Sequence, residues 1–374
     1  MLIYLIFFLF SLGQVGRISL LNNQINFYLY EQFLLIFFIT LFIKNKFKPL
    51  IKNRNKFKWI LLFLIWIVLT YVTTYYKCSN SCNVIPLLYL LRTGFYFLFI
   101  VYSYKFFNLN LKKQINKGIL LFIFLTGAFS IIQYFFYPNL RNLIYLGWDP
   151  HVYRTFGTFL DTSISSSIYG LILIYLFINY KKIELNKYFK NVLIIIYSIL
   201  GLLTYSRIFY FSLFITLIYY LISKKKYFQT FLFILIIFTG IFSLPRFQGE
   251  STNLKRTYSI LSRTNDYNEG ITLFKKSPII GYGYNRLMFI REYKKSFFNY
   301  PIHSLSSFQS SFLTIIVSSG IIGLILFILS IFEIGKLNNL LKLSAIFISI
   351  FSLGDNVILH PFILFLLLFF VSDS

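Results

Sequence analysis

His303 opens the run His303-Ser304-Leu305-Ser306-Ser307-Phe308-Gln309, where a polar stretch gives way to an apolar segment. A neutral imidazole at such a boundary can take the proton of a hydroxyl nucleophile near neutral pH. A surface or helix-capping histidine has the same local sequence, so spacing alone leaves both readings open. The other two histidines read differently: His151, in Trp148-Asp149-Pro150-His151, as a loop residue, and His360, before Pro361, as a helix-end residue. The three lie far apart, and no acidic pair stands beside them at ligand spacing, so no metal site is expected. No Asp-x-Asp, P-loop or GxSxG elbow occurs. Gly281-Tyr282-Gly283 lacks the third glycine and the strand-to-helix setting of a dinucleotide fingerprint and reads as a turn. No cofactor is expected.

The basic residues are sorted by type. Apolar segments run near 1–15, 27–43, 59–76, 85–104, 118–137, 163–180, 191–205, 207–222, 228–244, 308–332, 343–353 and 357–371. With a cytoplasmic N-terminus and alternating sides, the inside junctions are 44–58, 105–117, 181–190, 223–227 and 333–342. They hold 19 lysines and one arginine, Arg54. The opposite side holds the other ten arginines and only six lysines. Orientation requires positive charge, which lysine supplies as well as arginine. Lysine cannot supply the guanidinium's fixed fork, which grips phosphate or carboxylate through two parallel hydrogen bonds. An anionic ligand on the arginine side fits this sorting, and a lipid-linked pyrophosphate at the outer leaflet is one such ligand. Salt bridges with Asp149, Asp161, Glu250, Asp266, Glu269 and Glu292 are the plainer alternative.

Membrane helices must position these groups. Of 374 residues 57% are apolar and only 13% charged, where soluble domains carry roughly 25% charged. The mean hydropathy is +0.72. Apolar runs of bilayer length recur from end to end, as in spanning helices and unlike the short alternating strands of a barrel. The net charge of +25 is spread between apolar runs rather than gathered in one domain, so no nucleic acid partner is expected. Met1 to Phe10 lacks a basic leader and a small-residue cleavage site and reads as the first anchor.

The expected architecture is an all-α, polytopic transmembrane bundle of about twelve spans. Residues 1–374 form a single integral membrane domain, with both termini cytoplasmic and one large, partly helical extracytoplasmic loop at 245–307. The turn Thr204-Tyr205-Ser206-Arg207 divides two short spans. Asn265 to Lys276, with Tyr267, Ile271 and Phe274 at helical spacing, reads as an amphipathic helix on the membrane surface. Cys78 and Cys82 share an outside junction, where either a bracing disulfide or free thiols would be consistent.

Four patches, in order and on the arginine side, resemble the O-antigen polymerase/ligase family of bacterial membrane glycosyltransferases. Arg154-Thr155-Phe156-Gly157-Thr158-Phe159 is similar to the family's Arg-x-x-Gly patch, and Thr204-Tyr205-Ser206-Arg207 to its Thr-x-Ser-Arg turn. Arg263 followed by Ser277-Pro278-Ile279-Ile280-Gly281-Tyr282-Gly283 resembles its arginine, amphipathic helix and Pro-hydrophobic-hydrophobic-Gly-x-Gly. His303 followed by Gly320-Ile321-Ile322-Gly323 resembles its histidine and glycine-bearing helix. Asp161-Thr162-Ser163 departs from the Pro-Asn of many members, and before residue 140 only the hydropathy matches.

The resemblance implies metal-independent, inverting transfer of a glycan from a polyprenyl-pyrophosphate carrier, at the outer face of the bacterial plasma membrane. By position His303 would activate the acceptor hydroxyl, and Arg154, Arg207 and Arg263 would hold the pyrophosphate. Gly157, Tyr205 and Arg286 are further candidate contacts to the pyrophosphate or glycan. The partners implied are the lipid-linked glycan, an acceptor glycan or lipid, the bilayer, and a chain-length regulator and flippase. A surface-polysaccharide polymerase is the first reading and a ligase moving finished glycan to a lipid or protein the second. A lipid-linked glycan flippase or other transporter is a third, from a different class. The absence of an internal repeat and the single large loop bearing His and Arg favour an enzyme.

Overall fold

The computed structural model describes residues 1–20, 25–74, 80–146, 151–225, 227, 239–245, 252–254, 257–291 and 307–372. Among these the helices are α1 (Leu2–Ser11), α2 (Leu29–Asn45), α3 (Lys48–Asn53), α4 (Lys58–Thr73), α5 (Asn80–Ser103), α6 (Leu109–Phe136) and α7 (Thr162–Ile178). They continue with α8 (Lys187–Leu202), α9 (Arg207–Ser223), α10 (Tyr258–Lys276), α11 (Leu287–Arg291), α12 (Ser311–Gly335), α13 (Asn339–Gly354) and α14 (Pro361–Val371). Cys82–Ser103, Leu109–Phe136 and Ser311–Gly335 are long and apolar enough to cross a membrane, and six further apolar helices are 10–17 residues long. Eleven of the twelve apolar segments coincide with helices. Most of the twelfth, 228–238, lies outside the described residues.

Side-chain caps explain where many helices start. Asn108, Asp161, Asn186, Ser206, Ser310, Asn338 and His360 each accept a hydrogen bond from the first turn of the helix they precede. α14 is apolar on every face, and Phe362 to Val371 are all buried, as expected of a helix at the centre of a bundle. Phe365 stacks on Phe10 of α1 at 3.9 Å between ring centres. Gly170 of α7 faces the ring of Phe347 on α13, with no room for a side chain.

The two ends of the bundle differ in charge type. At one end the Asn53 amide donates to the carbonyls of Val101 and Tyr104. The Glu333 carboxylate there accepts the backbone N–H groups of Trp59 and Ile60 at the start of α4, and Asn338 donates to Phe370 O. These contacts gather the lysine-rich junctions. At the other end Arg154 meets Tyr205 O and Tyr267 donates to Leu353 O. The arginine-bearing segments therefore share one end.

Two features go beyond a helical reading. Arg17–Leu20 (β1) and Ile25–Tyr28 (β2) form an antiparallel ribbon, with Arg17 opposite Tyr28 and Leu20 opposite Ile25. Four-residue strands are too short to leave a periodic signal. The second feature is a break inside α12 at Gly320, whose φ of 69° and ψ of −175° lie in a region open essentially to glycine. A break deep in an apolar helix frees backbone groups that must find partners. Tyr282 N donates to Val317 O at 3.0 Å and Gly283 N to Ser318 O at 2.9 Å. Trp66 Nε1 donates to Ser319 O at 2.8 Å, and Ile321 N donates to Pro278 O at 2.9 Å. The turn 278–283 is thus built into the bundle, seven residues or about 10 Å below the start of α12.

A Cβ at Gly320 would collide with the carbonyl of Ile279. Gly320→Ala is expected to expel the turn and destabilise the protein by about 3 kcal/mol or more, from backbone strain and lost pairing together. Thermal unfolding in detergent checks this. An unchanged midpoint would mean the turn is not needed for stability.

Candidate functional site

The Arg154 loop is shaped from below by α6. Gln133 uses its whole amide: Oε1 accepts Phe156 N at 2.9 Å and Gly157 N at 3.0 Å, and Nε2 donates to Tyr137 O and Arg154 O. Gly157 has a φ of 52° and lies over the Ser130–Tyr169 hydrogen bond, so a side chain would strike the Ser130 hydroxyl. The loop then docks on the end of α8. Thr155 N donates to Leu203 O, and Thr155 Oγ1 donates to Leu200 O. Arg154, only 4% exposed, donates from Nη2 to Tyr205 O at 2.9 Å, while Nη1 stands 3.4 Å from His151 Nδ1.

Gln133→Leu removes all four of these bonds from a buried position. Each stranded group costs about 1–3 kcal/mol, so the Phe156 and Gly157 amides are expected to exchange hydrogen far faster and activity to fall. Unchanged protection at these two amides would contradict the assignment.

The second arginine group forms where α9, α10 and α13 meet. Tyr205, at φ 51°, turns the chain between α8 and α9, and its phenol donates to Pro245 O. Ser206 then caps α9 and places Arg207 in its first turn. Arg207 donates to Leu254 O at 3.2 Å, with Arg263 and Asp355 as electrostatic neighbours. Arg263 pairs with Asp355 at 2.9 Å and donates from Nε to Gln309 Oε1. Arg207 and Arg263 are thus close enough to repel one another, with Asp355 an electrostatic neighbour of Arg207 and the ion-pair partner of Arg263.

A third group clamps the chain near His303. Arg291 pairs with Asp266 at 2.9 Å and Glu269 at 3.1 Å, donates to Ser307 O, and lies over the Phe308 ring. Gln309 N donates to Asp266 Oδ2. Residues 292–306, His303 among them, lie outside the described residues. Arg286 is in a different place from the other candidates. It is 1% exposed, lies over the Tyr71 ring, and donates to Thr74 Oγ1 and Asn83 Oδ1. It braces the inserted turn against α4 and α5. Nearby Cys82 is disulfide-bonded, and the only other cysteine, Cys78, lies outside the described residues.

The protein also holds a cavity of about 470 Å³, which none of Arg154, Arg207, Arg263, Arg286 and Arg291 lines. Ser307, His151, Asp161 and Asn356 border it at the arginine end, and Ser318 and Leu364 line it further in. Tyr284 and Asn285 of the inserted turn form one side, and Gln14, Arg17, Asn26 and Tyr28 another. Tyr28 and Tyr284 are both buried, and the Tyr284 hydroxyl shares a hydrogen bond with Thr93 Oγ1 at 2.8 Å. His360 also lines the cavity; its Nδ1 accepts Phe362 N and is therefore unprotonated. Among the described residues no group of three or more His, Cys, Asp or Glu is arranged to hold a metal ion.

The structure therefore joins Arg154 with Tyr205 and, separately, Arg207 with Arg263. The sequence reading did not single out Gln133 or the cavity wall carrying Arg17 and Arg92. Both arginines were visible among the ten on that side. Gln133, a lone amide in the apolar segment 118–137, was the available sign of a buried polar anchor.

Residues 192–328 match the family model described as O-antigen ligase. The match supports the O-antigen polymerase/ligase family for this chain. It spans the Thr204–Arg207 turn, Arg263, the inserted turn, His303 and the Gly320 break, and leaves the Arg154 loop outside. No curated protein matches the chain.

Proposed function

We propose that the protein is a surface-polysaccharide polymerase, transferring glycan from a polyprenyl-pyrophosphate donor to a sugar hydroxyl at the outer face of the bacterial plasma membrane. The observation that carries this reading is the placing of Arg154 on the carbonyl of Tyr205, in the turn that leads into Arg207, with Arg263 as the electrostatic neighbour of Arg207. In this reading Arg207 and Arg263 hold the pyrophosphate, and Arg154 supports it from the neighbouring loop. His303 takes the proton of the acceptor hydroxyl. The acceptor oxygen attacks the anomeric carbon of the donor sugar, the bond from that carbon to the pyrophosphate oxygen breaks, and the electron pair leaves with polyprenyl pyrophosphate. The guanidinium groups stabilise charge where it develops.

The second reading, a ligase that moves finished glycan to a lipid or protein, is favoured by the description of the matching family. A deletion strain separates the two. Loss of a polymer ladder, with a single repeat still attached at the surface, supports polymerase. Accumulation of full-length polymer on the carrier lipid supports ligase. A surface glycan unchanged in length and amount would contradict both.

A further inference from the structure

The charged side chains that line the cavity already have partners. Glu31 accepts Arg92 Nε at 2.7 Å and Nη2 at 2.6 Å. Asp161 caps α7 through Ser163 N and Ile164 N. Arg17 has the phenols of Tyr28 and Tyr89 as electrostatic neighbours, and His151 stands 3.4 Å from Arg154 Nη1. An ionic ligand would have to break one of these arrangements to be matched, and a charge left unmatched in such a site is costly. The cavity therefore suits an uncharged ligand.

The uncharged polar groups are differently placed. His360 caps α14 with Nδ1, which accepts Phe362 N at 3.3 Å. That bond fixes the tautomer: the proton sits on Nε2, and the imidazole can offer the cavity only a donor. Among the described residues nothing accepts from Nε2. The rings of Tyr28 and Phe362 lie 6.4 and 4.9 Å from the imidazole and hold its plane. Asn285 and Asn356 also line the cavity, and their side-chain amides make no hydrogen bond among the described residues. Asn285 is held at a φ of 58° just past the inserted turn. Leu359 and Leu364 add apolar lining. His360 and Asn356 lie beyond residues 192–328, so the family match does not carry this pattern.

One fixed donor, two amides that both donate and accept, and apolar surface suit a ring with hydroxyl groups on its edge and C–H bonds on its faces. The volume of about 470 Å³ falls within the roughly 300–1,000 Å³ of small-molecule sites. We propose that this cavity is a subsite for an uncharged sugar of the glycan, oriented by His360 Nε2–H and by the amides of Asn285 and Asn356. The proposal rests on the glycan-transfer reading above, in which the anionic part of the donor is held elsewhere, on Arg207 and Arg263.

The test is sugar binding to the full-length protein in lipid nanodiscs, by saturation-transfer NMR, with no turnover required. The probes are the methyl glycosides of glucose, galactose and mannose, with methyl β-D-glucuronide as the charged comparison. At least one neutral glycoside is expected to bind, more tightly than the glucuronide, and inorganic pyrophosphate should not displace it. His360→Asn keeps an acceptor for Phe362 N but is too short to place the Nε2 donor. It should weaken the neutral sugar roughly 3- to 10-fold, as loss of one hydrogen bond implies. Asn285→Gly keeps the backbone conformation, removes the amide and should weaken binding to a similar extent. Arg263→Gln should leave sugar binding unchanged. Binding of none of the neutral glycosides, a preference for the glucuronide, or unchanged affinity in both His360→Asn and Asn285→Gly overturns the proposal. Displacement by pyrophosphate also overturns it, because the cavity would then belong to the phosphate site. Transfer by the wild type from its lipid-linked donor is measured separately, so failure of sugar binding is distinguishable from failure of the transferase reading.

Discussion

His303→Ala is expected to abolish glycan extension while the protein stays in the membrane at its normal level. Removing a general base costs roughly 10²–10⁴ in rate, enough to erase a polymer ladder. The base carries much of the reaction because pyrophosphate is a good leaving group and does not call for strong acid assistance. His303 stands four residues before Ser307, which borders the cavity and accepts a hydrogen bond from Arg291. Gln309, just beyond, joins Asp266 and Arg263. The pH profile gives an independent reading. A base must be unprotonated, so the wild-type rate should rise with pH on the acid side of the profile. Any residual rate of the alanine variant should lack that limb. A variant that still builds long chains would sink the assignment.

Much of the framework could be read from hydropathy, because apolar runs and caps are local signals. The turn at Thr204-Tyr205-Ser206-Arg207 was legible from the lysines on either side, and the structure breaks the helix there, with Ser206 as cap. Asn265 to Lys276 was legible as a helix and forms the second half of Tyr258–Lys276. The inserted turn was not. Pro278, Gly281 and Gly283 identify a turn, but its depth depends on a break in a helix some forty residues later, at Gly320. Local spacing carries no information about that pairing, and Gly320-Ile321-Ile322-Gly323 reads as ordinary helix until Pro278–Gly283 docks on it. The cavity was hidden for the same reason: residues as far apart as Gln14, Tyr89, Asp161, Tyr284 and His360 line it, joined only by the fold. Arginine sorting does not distinguish surroundings: Arg286 lies over Tyr71 and donates to Asn83 Oδ1, and Arg92 pairs with Glu31.

Arg207→Lys is expected to reduce kcat/KM by roughly 10- to 100-fold, the equivalent of losing a charge-assisted hydrogen bond to an oxyanion. The change keeps the positive charge, so a topology or bulk-charge role predicts wild-type activity. A phosphate-gripping role predicts damage, because an ammonium is a point donor and cannot reproduce the fork. Arg207→Gln, which removes the fork and the charge together, should lower transfer at least as far. Full activity in Arg207→Lys would remove Arg207 from the phosphate site and leave Arg263 and Arg154 to account for pyrophosphate binding.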